Sequence, residues 1–206
     1  METTFTTAPL APLLDRLYQE ADAASPATSP AVTELSAEER TRLMQSKTEY
    51  LALFARLKDF ALPVSRETGR LLYMQARSSG ARTIVEFGAS FGISTLHLAA
   101  ALRDNGGGRL ITTEFEPSKV ARVRYNLTIG GLLDLVEIRE GDALKTLNVD
   151  LPETIDLLLH PDASEPADPL PLKSPAPPKS SPNGGAGPPC RADFDTDSRV
   201  ANSRAI

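Results

Sequence analysis

The sequence predicts an α/β fold in which a doubly wound parallel sheet follows a set of N-terminal helices. Between residues 82 and 159, short apolar runs of strand length alternate with helical stretches, a rhythm typical of parallel strands joined by helical crossovers. The 206 residues suffice for one such domain with a sizeable buried core, but not comfortably for two. We therefore expect a single α/β domain.

Three amphipathic helices are predicted before the first strand, within residues 1–80. The first has leucines at helical spacing, at Leu10, Leu13, Leu14 and Leu17. Residues 21–33 are rich in Ala, Ser, Pro and Thr, which predicts a loose linker after that helix.

Ser36 and Glu39 form a capping box that starts the second helix, since each side chain can satisfy the backbone N–H of the other residue. The apolar face of this helix comprises Leu43, Tyr50, Leu53, Phe54 and Leu57. Pro63 interrupts it, and residues 65–79 form a third helix whose apolar face contains Leu71, Leu72 and Met74.

Residues 81–160 are predicted to form the core of the sheet. The four expected strands are 83–85, 110–113, 135–138 and 155–159. Helices are expected at 93–104 and 117–129, with a shorter link near 143–148. Such a pattern is Rossmann-like, and its crossovers should be right-handed.

Residues 161–206 break this pattern. Ten of the seventeen prolines lie between Pro161 and Pro189, mixed with Ser, Ala and Gly. With few apolar side chains to offset its ordering entropy, this tail is expected to be disordered or irregular. The fourth strand, apolar on both faces, would then become an exposed edge prone to aggregation.

Composition excludes several classes of protein. A formal charge of −5 and a pI near 5.2 argue against a nucleic-acid surface. The lone Cys190 allows no intrachain disulfide and no zinc spacing. Neither a signal peptide nor an apolar run of membrane-spanning length is present, so we expect a cytoplasmic protein without a membrane partner. A homodimer remains open.

A glycine-containing turn after the first strand is the main candidate site. Gly88 and Gly92 flank Ser90 between the strand and the next helix, whose free N–H groups could meet an anionic group. Ser94 adds a hydroxyl, and Glu86 could hold a cationic amine. The alternative is that the small residues only permit tight packing of strand and helix.

Two further strand ends carry groups suited to a nucleoside. Glu114 ends the second strand, where a carboxylate can accept hydrogen bonds from both hydroxyls of a ribose. Asp142 and Ala143 follow the third strand, where Asp142 could accept from an adenine amino group. Because ligands of open α/β sheets bind at the carboxyl ends of strands, these groups indicate one crevice.

These residues carry a family resemblance. The run 83–95 resembles motif I of class I O-methyltransferases, with catechol and caffeoyl-CoA type enzymes as relatives, and segments 63–72, 113–117 and 141–144 resemble further parts of bacterial members. The resemblance implies a small-molecule O-methyltransferase whose S-adenosylmethionine pocket is lined by Glu86, Gly88, Ser94, Glu114 and Asp142. It assigns no catalytic residue.

The resemblance fails after the fourth strand. His160-Pro161-Asp162 stands where the family has a strand-end Asp, and the tail replaces the fifth strand. Compared with the family pattern, the C-terminal strands are therefore missing or degraded, and a divalent metal site is not supported. Residues 192–199 resemble the segment that follows the missing strand, which suggests a shifted reading frame between about His160 and Arg191. Resequencing the gene tests this hypothesis, which requires a family-like fifth strand in another frame.

Two other functions remain as alternatives. A catalytically incompetent remnant would bind S-adenosylmethionine without turnover. A nicotinamide-dependent oxidoreductase is less favoured, because its loop should read G-x-G-x-x-G rather than G-x-x-x-G. Among other polar residues, His97 is expected to serve packing or face solvent. Lys119, Arg122 and Arg124 are expected to form a solvated face.

Overall fold

The computed structural model describes residues 2–24, 33–46, 49 and 55–160. In chain order, the helices and strands are α1 (Leu10–Ala23), α2 (Ala37–Gln45), α3 (Arg66–Ser78), β1 (Thr83–Glu86), α4 (Ile93–Asp104), β2 (Arg109–Glu114), α5 (Pro117–Ile129), β3 (Val136–Glu140), α6 (Ala143–Thr146) and β4 (Leu157–Leu159). The alternation of strands and helices expected after residue 82 is confirmed.

The four described strands form one parallel sheet in the order β3-β2-β1-β4. Val85 in the centre pairs with Ile111 of β2 on one side and with Leu158 of β4 on the other. The chain thus runs outward from β1 to β3 and returns to place β4 beside β1. This reversal creates the crevice at the carboxyl end of β1 where ligands of such sheets bind.

Local sequence signals set several helix ends. Ser36 Oγ accepts from the backbone N–H of Glu39, whose carboxylate accepts from the N–H of Ser36, so the predicted capping box is confirmed. Ser65 caps α3 by accepting from the N–H of Thr68. The second helix ends at Gln45, earlier than expected, and Leu57 lies in a turn. The predicted contributions of residues 50–54 lie outside the described residues, as does the tail 161–206.

Two expectations for the N-terminal helices were wrong. The side chains buried on α3 are those of Gly69, Leu72 and Ala76, whereas Leu71 is 44% exposed and Met74 62% exposed. The reason is that α3 packs on α4 along the stripe of spacing three and four that contains Gly69. The loose linker also starts later than residue 21, because α1 continues to Ala23 and buries Ala21.

The N-terminal helices and one face of the sheet share a hydrophobic core. Leu10 of α1, Leu72 of α3, Ile84 of β1 and Leu98 of α4 all belong to the same buried cluster. α4 is buried along most of its length because it lies between the sheet and the two N-terminal helices. Burial of this kind stabilises by roughly 25 cal/mol for each Å² of apolar surface.

The opposite face of the sheet has a thinner cover. Val85 and Ile111 pack there against Ala143 and Leu147, at the short helix α6. Leu158 on β4 stays 39% exposed. Within the described sheet β4 pairs with β1 alone, which is the edge position expected from the sequence. None of the described helices is long and apolar enough to cross a membrane.

The Asp156 carboxylate fastens β4 to the start of β1. Its Oδ2 accepts from the backbone N–H groups of Arg82 and Thr83, at 2.8 Å each. β4 is only three residues long and is joined to β1 by three residue pairs, so these two hydrogen bonds strengthen its attachment substantially.

We therefore predict that Asp156→Ala lowers the free energy of unfolding by about 1–2 kcal/mol, the scale of exposed hydrogen bonds to a charged acceptor. Urea denaturation followed by circular dichroism measures the change. Glu153→Ala, an exposed carboxylate in the same segment, is the matched control and should change little. Equal effects of the two substitutions would contradict the fastening role.

Candidate functional site

The turn between β1 and α4 has three residues in the left-handed region of backbone space. Gly88 has φ of 85°, Ser90 of 51° and Gly92 of 87°. Serine at positive φ is strained and needs support from its surroundings. Ser90 obtains it from two hydrogen bonds: its N–H donates to Glu114 Oε2 at 2.8 Å, and its Oγ accepts from the N–H of Leu62 at 3.0 Å.

The two glycines of the loop serve different purposes. A Cβ on Gly92 would lie 2.5 Å from Cγ2 of Val123, so Gly92 allows the loop to pack against α5. A Cβ on Gly88 would meet nothing within 4 Å. The packing interpretation therefore fits Gly92, whereas open space above Gly88 fits the close approach of a ligand to the backbone.

Glu86 lies beneath the loop and has no exposed surface. Its carboxylate accepts from the hydroxyls of Ser94 at 2.5 Å, Thr95 at 2.6 Å and Thr112 at 2.7 Å. Burial raises the pKa of Glu86, and these three hydrogen bonds oppose that rise. The carboxylate therefore lies behind Ser94, not on the open surface where a ligand amine was expected to meet it.

Glu114 joins the loop to the start of α5. One oxygen accepts from the N–H of Ser90, and the other accepts from the N–H of Glu116 at 3.0 Å. The side chain is 7% exposed. Burial raises the pKa of Glu114, against the backbone N–H groups and the charge of Lys119. Each oxygen keeps lone-pair capacity for a further donor.

Asp142 and Ala143 lie at the third strand end, as the sequence predicts. Asp142 is the N-cap of α6, where Oδ1 accepts from the N–H of Leu144 at 3.0 Å. Ala143 is buried against the sheet. The sheet thus brings the three predicted strand ends to one edge, because parallel strands all end on the same side.

Lys119 corrects the expectation of a solvated basic face on α5. It is only 3% exposed, and its Nζ lies 5.9 Å from the ring centroid of Phe91 in the loop. Burial lowers the pKa of Lys119, while the charges of Glu114, Glu116 and Asp59 oppose this. The spacing of basic residues along the helix could not reveal that this side chain lies under the glycine loop.

The other two basic residues of α5 differ from Lys119. Arg122 pairs with Glu20 of α1 at 2.5 Å and lies 5.6 Å from the centroid of Phe91. Arg124 is exposed, as expected for a solvated face.

The two histidines do not form a catalytic pair with the loop. His97 is buried, and its Nδ1 lies 2.8 Å from the carbonyl oxygen of Ile93, so Nδ1 carries the proton that is donated. Its ring contacts Phe5 and Tyr18, which agrees with the expected packing role. His160 follows β4, with its ring 4.9 Å from that of Phe87. In the described ranges, no cluster of three His, Cys, Asp or Glu could hold a metal ion.

Sequence reasoning missed several polar residues of the site, among them Thr113, whose Oγ1 accepts from the N–H of Gly88 at 3.0 Å. Thr95 and Thr112 satisfy Glu86, and Asn126 of α5 donates to the carbonyl oxygen of Phe91 at 2.8 Å. A signal existed for Thr112, since it follows the apolar pair Leu110-Ile111 in the strand next to the one that ends in Glu86. No local pattern distinguishes Asn126 from an exposed helical asparagine.

The buried carboxylate of Glu86 makes a pH dependence testable. Because its pKa is raised on folding, the folded chain retains a proton that the unfolded chain has released, so its contribution to stability falls as pH rises through the raised pKa. Glu86→Gln removes this contribution. We predict that the unfolding temperature of the wild type minus that of Glu86→Gln decreases between about pH 4 and pH 8. Scanning calorimetry in matched buffers measures it, and a difference that grows with pH contradicts the assignment.

Comparison with known proteins gives a family match that includes the loop and the three strand ends. Residues 85–169 match a family model described as a methyltransferase domain. Over 87 residues the chain is 39% identical to the catechol O-methyltransferase of Niastella koreensis, covering 42% of this chain and 38% of that protein. It is 36% identical over 86 residues to the catechol O-methyltransferase of Mycobacterium tuberculosis, again covering 42% and 38%. The match therefore spans less than two fifths of each curated relative.

Solved structures give partial superpositions. An O-methyltransferase from Bacillus cereus in complex with SAH is 27% identical, with a TM-score of 0.45 and coverage of 61% of this chain and 60% of that chain. The O-methyltransferase TomG from Streptomyces achromogenes in complex with SAM is 34% identical, with a TM-score of 0.45 and coverage of 60% and 61%. Residues 85–169 are therefore similar to a methyltransferase domain, and part of the chain is similar to catechol O-methyltransferases.

Proposed function

We propose that the chain binds S-adenosylmethionine at the carboxyl ends of β1, β2 and β3 and transfers its methyl group to an oxygen of a small molecule. The observation that carries this proposal is the left-handed loop of Gly88, Ser90 and Gly92, pinned by the carboxylate of Glu114 from the next strand. The loop leaves open space above Gly88 beside this carboxylate, and the helix that follows offers free N–H groups, which together suit a nucleoside with a charged tail.

The residues at the start of α4 fit the charged tail of the cofactor. Gly92 caps the helix without a side-chain hydrogen bond, and the first N–H groups of a helix have no intrahelical acceptor. These groups and the helix dipole favour a carboxylate. Since Ser94 donates its proton to Glu86, its remaining lone pairs can accept from the ammonium group. Glu86 would then stabilise that ammonium through Ser94 rather than by direct contact.

The residues at the carboxyl ends of β2 and β3 suit the nucleoside part of the cofactor. Glu114 would accept from the ribose hydroxyls with the lone pairs that its backbone donors leave free. Asp142 would lie at the adenine end, next to Ala143. The open space above Gly88 leaves room for the sugar to approach the backbone. The eight residues predicted from the sequence therefore remain our proposed cofactor site. Within it, Glu86 would act through Ser94, and Gly92 by allowing the loop to pack against α5.

The bound cofactor would supply an activated methyl group on a sulfonium. In the transfer, the bond from sulfur to the methyl carbon breaks as the acceptor oxygen forms its own bond to that carbon, and the acceptor loses its proton to solvent or to a base. The chain would contribute proximity and orientation. Because the curated relatives are named catechol O-methyltransferases, catechols are the first acceptors to test.

Calorimetric titration tests cofactor binding. We expect S-adenosylhomocysteine to bind and NAD not to bind, which separates the methyltransferase from the nicotinamide-dependent alternative. S-adenosylhomocysteine should also raise the unfolding temperature. At a concentration one hundred times its Kd, it should raise the free energy of unfolding by about 2.7 kcal/mol. Binding of NAD in preference to S-adenosylhomocysteine overturns the proposal.

Substitution of Glu114 tests the site. Glu114→Ala should weaken S-adenosylhomocysteine binding about 10- to 100-fold, because it removes a carboxylate acceptor and releases Ser90. Glu153→Ala, an exposed carboxylate beyond α6, serves as the control and should bind as the wild type does. If both variants bind equally well, the ribose does not lie at Glu114.

Turnover distinguishes an enzyme from a binding remnant. We expect radiolabelled methyl transfer to at least one catechol or other phenol in the presence of S-adenosylmethionine. Cofactor binding without transfer to phenols, catechols or carboxylates would favour the remnant, an outcome consistent with a match that covers only 38% of each curated relative.

A further inference from the structure

One face of α5 contacts two consecutive residues of the glycine loop, Phe91 and Gly92. Lys119, Arg122, Val123 and Asn126 lie on that face at spacings of three and four. Lys119 Nζ and Arg122 Cζ lie 5.9 Å and 5.6 Å from the ring centroid of Phe91. Such cation–π contacts position the ring as well as stabilise it. Val123 occupies the space beside Gly92.

Asn126 makes the directional contact in this set. Its side chain is fully buried, and Nδ2 donates to the carbonyl oxygen of Phe91 at 2.8 Å. This carbonyl lies between Ser90 and Gly92, the two residues whose positive φ gives the loop its shape. A hydrogen bond to that carbonyl fixes the rotation of the peptide plane that joins Phe91 to Gly92.

The other end of the Asn126 amide has no such partner. Its Oδ1 is buried and finds no hydrogen-bond donor within the part of the chain that the structure describes. An unpaired buried oxygen costs free energy, and this cost offsets part of what the hydrogen bond from Nδ2 contributes to stability. The amide therefore combines one directional hydrogen bond to the loop with one unpaired oxygen.

We propose that Asn126 is a positioning residue for the cofactor loop: by holding the Phe91 carbonyl, it sets the turn that presents the loop backbone to the ligand. This inference rests on the proposed cofactor site, which it deepens by adding a residue from α5, outside the strand ends. The loop is thus held from two sides, by Glu114 at Ser90 and by Asn126 at Phe91.

The test is Asn126→Leu, which has nearly the same volume and removes both the donor and the unpaired oxygen. We expect S-adenosylhomocysteine to bind about tenfold more weakly, as for a lost hydrogen bond to a preorganised loop. The unfolding temperature should remain within about 4 °C of the wild type. Hydrogen exchange of the amides between Gly88 and Ile93 should be faster, with exchange in β1 and β2 unchanged.

Asn105→Leu is the matched control. Asn105 Nδ2 also donates to backbone carbonyls, those of Ala76 at 3.0 Å and Ala81 at 2.9 Å, but at the end of α4 remote from the loop. This variant should lose stability and keep the wild-type affinity for S-adenosylhomocysteine. Asn126→Ser replaces the leucine variant where the latter does not fold.

The outcomes separate the two proposals. A wild-type chain that does not bind S-adenosylhomocysteine contradicts the proposed function, while loop exchange in the variants still decides the role of Asn126. If hydrogen exchange of the loop amides and affinity for S-adenosylhomocysteine are both unchanged in Asn126→Leu, the positioning role is overturned. An unfolding temperature that falls together with affinity in both asparagine variants also overturns it, because the effect is then one of general stability.

Discussion

The carboxylate of Glu114 supports the conformation on which the whole candidate site depends. Ser90 holds a left-handed backbone that a side chain rarely adopts, and its amide is directed at Glu114 Oε2. Without an acceptor there, the partly buried N–H would have to find another partner or the turn would relax. Because Glu114 ends β2 and the loop follows β1, the parallel pairing of these strands is what brings acceptor and donor together. The sheet is therefore the direct cause of the shape of the loop.

The two buried carboxylates at neighbouring strand ends differ in their surroundings and in their hydrogen-bond donors. Burial raises the pKa of Glu86 and of Glu114, and the charge of Glu114 adds to the rise at Glu86. Glu86 is enclosed and satisfied by hydroxyls, whereas Glu114 lies at the rim and is satisfied by backbone N–H groups that leave it lone-pair capacity. The enclosed carboxylate orients Ser94, and the rim carboxylate is the one able to meet a ligand directly.

α5 contributes more to the site than a crossover connection requires. Lys119 brings a buried cation near Glu114, Val123 fills the space that Gly92 leaves, and Asn126 holds the loop carbonyl. The contacts of Val123 and Asn126 join α5 to the loop, so the conformation of the loop is coupled to the position of the helix. A coupling of this kind makes a ligand site preorganised rather than formed on binding.

The sequence by itself determined the order of the elements, the capping box at Ser36, the positive-φ turn at Gly88 and Gly92, and the polar residues at three strand ends, because periodicity, caps and glycine conformation are local properties. The tertiary structure alone decided which faces are buried. It exposed Met74, which helical spacing had assigned to the core, enclosed Glu86 beneath Ser94, and buried Lys119 under Phe91. Burial depends on which neighbouring element covers a side chain, and that is set by packing between segments far apart in the chain. The role of Asn126 shows the same limit, since its only signal is a contact with a loop thirty-five positions earlier.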